Sequence, residues 1–168
     1  SLRSYYLLIF KVAIKKFITL TTIGLISDTH HFLDDTVFEH FNHCDEIWHG
    51  GDFGTIAIAE KLAAFKPLKG VYGNIDGVDL GGKFLDQLVF KCEDVKVMMR
   101  HIGGYPPRYN PETKKEILIH QPQLFISGHS HILKVMFDEK LNCLHMNPGA
   151  AGKQGWHKVR TLIRFVID

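Results

Sequence analysis

Cysteine is scarce in this chain. Three residues, Cys44, Cys92 and Cys143, are scattered along 168 positions, and no CxxC pair occurs. That excludes a disulfide-stapled scaffold or a zinc knuckle and fits a reduced, cytoplasmic setting. An excess of either charge is also missing. Twenty Lys and Arg against 18 Asp and Glu leave a net charge of +2, so there is no strong nucleic-acid signature. Long apolar runs are absent as well. The run Tyr5 to Phe10 in "SLRSYYLLIFKVAIKKF" is far too short for a transmembrane segment. Lys11 interrupts it and no small-residue cleavage site follows, which argues against a signal peptide. Residues 1–20 are therefore expected to be an extension, non-native in part, ahead of one domain at 21–168.

What the chain has in quantity is histidine, 11 in all. Their meaning depends on where the elements place them. "TTIGLISD" (Thr21 to Asp28) is a β-branched apolar run and reads as a buried strand. "DDTVFEHFNH" has Asp34 or Asp35 to cap a helix with Val37, Phe38 and Phe41 at helical spacing. "EIWHGGD" and "LKGVYGN" read as strands, with the helix "TIAIAEKLAAF" between them, stopped before Pro67. This β-α-β-α-β order implies a parallel sheet with right-handed crossovers. The second half reads as a hairpin around Glu93-Asp94, a helix opening at Pro111, a buried strand "QLFIS", a second hairpin around Asp138 to Asn142, and a closing strand "VRTLIRFVID". Parallel units followed by hairpins predict an α/β fold of mixed or packed sheets with helices outside.

Polar residues end the expected strands in a regular way: Asp28-Thr29-His30, Gly50-Gly51-Asp52, Gly73-Asn74, His101, and Gly128-His129-Ser130-His131. In open α/β sheets the carboxyl ends of strands line the ligand crevice. Two aspartates, an asparagine and four histidines can thus converge. Imidazoles mixed with carboxylate and amide oxygens suit borderline transition ions better than Ca2+. In extended chain, residues two apart project to one side, so each of the pairs Asp28/His30 and His129/His131 is expected to reach a single site.

This order of D-x-H, G-D, G-N, a lone His and G-H-x-H resembles the calcineurin-like metallophosphoesterases, and in particular their small YfcE-type phosphodiesterases. It is also similar to the metallophosphoesterase-like vacuolar sorting subunit of retromer. The likeness runs from about Thr21 to Asp168 and includes the N-P-G turn in "NPGA" at 147 to 150. It implies a four-layer αββα fold, a β-sandwich flanked by helices. It also implies two divalent metal ions, Mn2+ first, with Fe2+, Zn2+, Ni2+ or Mg2+ as alternatives. Asp28, His30 and His131 would bind one ion, and Asn74, His101 and His129 the other. Asp52 would bridge them. Asp52, Asn74 and His129 are thereby assigned to catalysis as well. The resemblance implies hydrolysis of a small phosphate ester, foremost a diester, by a hydroxide held between two metals. The other implied role is a retromer-like interaction scaffold with little or no catalysis. A homo-oligomer is compatible with either.

Two positions depart from the family pattern. Many larger members read G-N-H-D where this chain reads Gly73-Asn74-Ile75-Asp76, and Ile75 cannot transfer a proton. His31, Asp76 or the substrate itself are the candidate acids. Related small enzymes carry His-Gly-His where this chain has His101-Ile102-Gly103. Arg108, in the same loop, is the candidate to replace a lost phosphate contact, and His31 is the second candidate substrate contact. Tyr105 and Tyr109 flank Arg108. His49 is expected to be structural, His40, His43, His120, His145 and His157 surface or packing residues, and Trp156 a packing residue or loop anchor.

Overall fold

The computed structural model describes residues 19–168. The apolar run at Tyr5 to Phe10, and nearly all of the expected extension, lie outside the described residues. In chain order the elements are β1 (Thr21–Ile26), α1 (Thr36–His40), β2 (Glu46–His49), α2 (Ile56–Phe65), β3 (Leu68–Gly70), α3 (Val78–Gly81), β4 (Gln87–Cys92), β5 (Val95–Arg100), β6 (Gly104–Tyr105), β7 (Arg108–Tyr109), α4 (Pro111–His120), β8 (Leu124–Ile126), β9 (Leu133–Asp138), β10 (Cys143–Pro148) and β11 (Ile163–Ile167). One sheet has the order β11-β1-β2-β3, the other β4-β5-β8-β10-β9, and β6-β7 form a small ribbon. β1, β2 and β3 are parallel, as are β5, β8 and β10, while the outer strands β11, β4 and β9 are antiparallel to their neighbours.

Side-chain alternation along the strands builds the layers. Ile23, Leu25 and Trp48 of the first sheet pack with Val97, Met99, Leu124 and Ile126 of the second, forming the sandwich core. The intervening residues turn outward. Ile26 and Ile47 join Val37 and Phe41 of the α1 segment and Ile58 and Leu62 of α2. Met98 and Phe125 pack with Ile117 of α4. The result is the expected αββα arrangement of mixed sheets. Gly24 lies on the α1 side because a Cβ there would sit 2.7 Å from the Phe41 ring.

Local chemistry explains the helix ends. Asn110 caps α4 by accepting from the Glu112 and Thr113 amides, and Pro111 occupies the first turn. α2 stops at Lys66, which is extended ahead of Pro67. At α1 it is the Asp34 carboxylate that accepts from the Thr36 amide. Two elements differ from expectation. α3 is a four-residue turn of helix in a glycine-flanked stretch with little helical propensity. The Pro/Gly-rich segment after His101, read as a loop, forms the β6-β7 ribbon around Pro106-Pro107.

Trp48 is fully buried between the sheets, edge-on to Phe90 and Phe165, with its indole N–H donated to Glu46. Trp48→Ala is expected to lower stability by about 3–5 kcal/mol. Urea unfolding measures this, and a loss below about 1 kcal/mol would show that the indole is not a core element.

Candidate metal centre

The strand ends named in the sequence meet at one edge of the sandwich. Backbone hydrogen bonds continue past β1 and β2 and hold their loops side by side. The amides of Asp28, His30 and His31 donate to the carbonyls of Gly51, Asp52 and Phe53. The Gly128 amide donates to the His101 carbonyl, which ties the second sheet's loops together.

Two side-chain clusters result, Asp28 with His30 and His131, and Asp52 with His101 and His129. Each aspartate divides its oxygens between two tasks. Asp28 Oδ2 accepts from the Ser27 hydroxyl at 2.6 Å and the His129 amide at 3.1 Å. Asp28 Oδ1 is buried without a hydrogen-bond partner, 3.1 Å from His131 Nε2 and 3.6 Å from His30 Nε2. Asp52 Oδ1 accepts from the Ile75 amide at 3.0 Å. Asp52 Oδ2 lies 3.1 Å from His101 Nε2 and 3.4 Å from His30 Nε2, between the two clusters. Asn74 Oδ1 stands 3.0 Å from His101 Nε2. His101 Nδ1 donates to the Gly50 carbonyl at 2.8 Å, which turns the Nε2 lone pair toward Asp52 and Asn74. An orphaned carboxylate oxygen facing imidazole nitrogens is a donor set that fits a divalent cation.

Glycine makes this closeness possible at two positions. A Cβ on Gly73 would overlap Asp52 Oδ1 and its backbone nitrogen, and one on Gly128 would meet Ser27 Oγ and Asp28 Oδ2. Burial opposes ionisation of Asp28, but His131, His30, the charge of His101 and Ser27 outweigh it and hold the carboxyl below its ordinary range. Asp52 is lowered in the same way, burial being overcome chiefly by His101. Burial alone would lower His101, yet Asp52 and Asp28 raise it. His131 is raised mainly by Asp28, while burial and then His101 lower His129.

The extended-chain explanation of the spaced pairs does not hold. β1 ends at Ile26 and β8 at Ile126. Asp28, His30, Asp52, His129 and His131 all have positive φ, between 43° and 67°. Left-handed turns, each costing on the order of 1 kcal/mol, present these side chains.

The remaining sequence candidates separate clearly. Arg108 is exposed on β7, opposite Tyr105, and no contact among the described residues brings it to the cluster. Tyr109 is an anchor, donating its hydroxyl to Asp138. His31 follows the cluster with an exposed side chain packed along Gly54. Asp76 braces two loops by accepting from the Gly54 and Gly73 amides, one on each oxygen. A Cβ on Gly103 would run into Phe125 and Ser127, so the chain at this position points into the sheet.

His49 is structural, as expected. It accepts from the Gly51 amide, contacts the Thr29 hydroxyl and stacks on Phe53. His157 is closer to the site than expected, its ring 5.3 Å from that of His131. Trp156 is fully exposed and packs on nothing, contrary to the packing role expected. Sequence reasoning missed the brace Asn147, which donates to the Gly128 carbonyl and Ser130 Oγ. The N-P-G turn was the available signal.

The pattern of the calcineurin-like phosphoesterase superfamily domain matches residues 22–168. The chain belongs to that superfamily. A probable metallophosphoesterase of Methanocaldococcus jannaschii is 30% identical over 135 residues, covering 76% of this chain and 67% of that protein. Among solved structures, a predicted phosphoesterase of Streptococcus pneumoniae aligns with TM-score 0.67 and 21% identity over 90% of this chain and 85% of that one. Vps29 of Entamoeba histolytica, solved with zinc, aligns with TM-score 0.63 and 19% identity over 86% and 84%. These structures share the fold of this calcineurin-like phosphoesterase domain. Among the described residues no helix is long and apolar enough to cross a membrane.

Stability of the metal-free protein should depend on pH in a defined direction. Burial pushes His49 down to about 3 and His145 down to about 4. Between these values and the ordinary histidine pKa, the unfolded chain binds more protons than the folded one. Stability therefore falls as pH drops from about 6.5 toward 3, by about 1.4 kcal/mol per pH unit for each proton. The raised His101 and His131 act above 6.5, where their stabilisation is lost as pH rises. Urea unfolding across this range should show a maximum near pH 6.5, and a rise in stability on acidification below pH 6.5 would contradict the assignment.

Proposed function

We propose that the chain is a metal-dependent phosphoesterase that holds two divalent cations, Mn2+ first, and prefers small phosphodiesters. One observation carries this reading: Asp52 Oδ2 lies within 3.4 Å of imidazoles from both clusters. Asp28, His30 and His131 would hold one cation. Asn74, His101 and His129 would hold the other, with Asp52 shared. Bound divalent ions supply Lewis-acid stabilisation of the phosphoryl oxygens and lower the pKa of an attacking water.

The chain's own groups fix the geometry for that chemistry. The Ile75 amide anchors Asp52, the His129 amide and Ser27 hydroxyl anchor Asp28, and the Gly50 carbonyl anchors His101. His129 is the most exposed of the six clustered groups and Asn74 is exposed too, so ester approaches from their side. Ile75 offers no proton there and Asp76 is committed to backbone amides, which favours esters whose leaving group departs easily or carries its own acid.

A specific observation also favours the scaffold reading. β9 is an edge strand, and Leu133, Val135 and Phe137 along it are about half exposed. They lie opposite Pro148, Met146 and Leu144 on β10, on the side that faces the sandwich core. A protein partner or a second copy of the chain could cover them.

Hydrolysis of bis-p-nitrophenyl phosphate decides between the two. With Mn2+ loaded, the protein should turn it over, chelation should abolish the reaction, and added Mn2+ should restore it. Asp52→Asn and His129→Ala should each lower kcat by more than about 100-fold while circular dichroism stays unchanged. Undiminished activity in either variant would refute the site. No hydrolysis of any monoester or diester by the loaded protein would leave the scaffold.

A further inference from the structure

The two tryptophans of this chain have opposite environments: Trp48 is fully buried and Trp156 fully exposed. A bare indole of this size offers a large flat apolar face with nothing upon it. Its position gives that exposure a meaning. The segment from Gly152 to His157 is fastened at both ends beside the first cluster. The Gly152 amide donates to the Asp28 carbonyl at 2.9 Å, and the same glycine's carbonyl accepts from His157 Nε2 at 2.8 Å. A Cβ on Gly155 would sit 2.9 Å from His131 Cε1 and 2.9 Å from His157 Nδ1. The His157 ring packs edge-on to His131 at 5.3 Å. The residues on both sides of Trp156 thus rest against one cation-ligand candidate. The Trp156 Cα is a single step of about 3.8 Å from Gly155.

The surroundings narrow what could lie on the indole. Along the chain it is flanked by Gln154, Gly155, His157 and Lys158, and the nearest exposed apolar side chain in the sequence is Val159. From Ala151 to Arg160 the chain carries Lys153, Lys158 and Arg160 and no carboxylate; Lys153 and Arg160 lie over the Phe32 ring and Arg160 pairs with Asp34, which leaves Lys158 as the cation next to Trp156 in the chain. A planar, uncharged ring attached to an anion suits a lone aromatic face with a cation next to it in the chain. Resting on the phosphoesterase reading above, the geometry points to Trp156 as a stacking platform for the base of a nucleoside phosphate ester whose phosphoryl group lies at the cation cluster. Stacking of this kind is sequence-tolerant and affects affinity by about tenfold or more per base. Trp156 is a substrate-binding residue in this account, and bases of any identity should be accepted.

Tryptophan emission gives a direct readout, because Trp48 is shielded and Trp156 is not. Titration of the Mn2+-loaded protein with adenosine monophosphate should quench the exposed, red-shifted component, and ribose 5-phosphate should leave it unchanged. By calorimetry, Trp156→Leu should weaken adenosine monophosphate about tenfold or more and ribose 5-phosphate not at all, with Trp156→Phe restoring most of the loss. Absence of quenching by the nucleotide, or equal weakening of both ligands, would overturn the platform. The two readings fail separately. Nucleotide binding with quenching but no ester hydrolysis would sink the phosphoesterase reading and leave the platform standing. Metal-dependent hydrolysis with no advantage for a base-bearing ester would do the reverse.

Discussion

The site depends on how two buried aspartates divide their oxygens. In Asp28 and in Asp52 one oxygen is committed to a backbone amide, and the other is turned toward imidazole nitrogens. A carboxylate held this way cannot rotate away when a neighbouring loop moves, because its anchor is main chain from another segment. The anchors are long-range: His129 reaches back to Asp28, and Ile75 to Asp52. The two-sheet sandwich matters for function because it brings those amides and carboxylates to one edge. Unpaired, the inward oxygens would carry a steep desolvation penalty. A divalent cation is the partner that resolves it most completely.

The glycines and the strained turns serve the same constraint. Gly73 and Gly128 lie where a side chain would displace the aspartates. Five ligand candidates adopt left-handed backbone conformations that only a cross-linked loop network makes tolerable. Asp76, Asn147, Ser27 and His49 form that network, each hydrogen-bonding backbone or a residue of the cluster. Rigidity at the sheet edge is thus supplied by polar side chains from the strand ends and from the loops that follow them.

The sequence makes some of this legible and hides the rest. Strands such as Thr21–Ile26 and Leu124–Ile126 are plain from their apolar runs, and their polar endings mark the ligand candidates. Motif order picks out residues whose side chains lie in two clusters, Asp28 with His30 and His131, and Asp52 with His101 and His129. The left-handed turns are not legible, because their conformation comes from hydrogen bonds to loops far away in the chain. The same holds for the bracing by Asp76, which looks like a free acid until its two amide partners are known. Arg108 and Trp156 show the limit most clearly. Each sits in a polar loop, yet folding leaves Arg108 unconnected to the cluster and fixes the segment around Trp156 against His131. Sequence proximity to a ligand does not say which way a loop folds back.

Anomalous diffraction from crystals grown with Mn2+ tests the central claim most directly. The account predicts two peaks per chain, one among Asp28, His30 and His131, the other among Asn74, His101 and His129, with Asp52 touching both. A single peak, peaks elsewhere, or an Asp28 Oδ1 that bonds only to protein would contradict it.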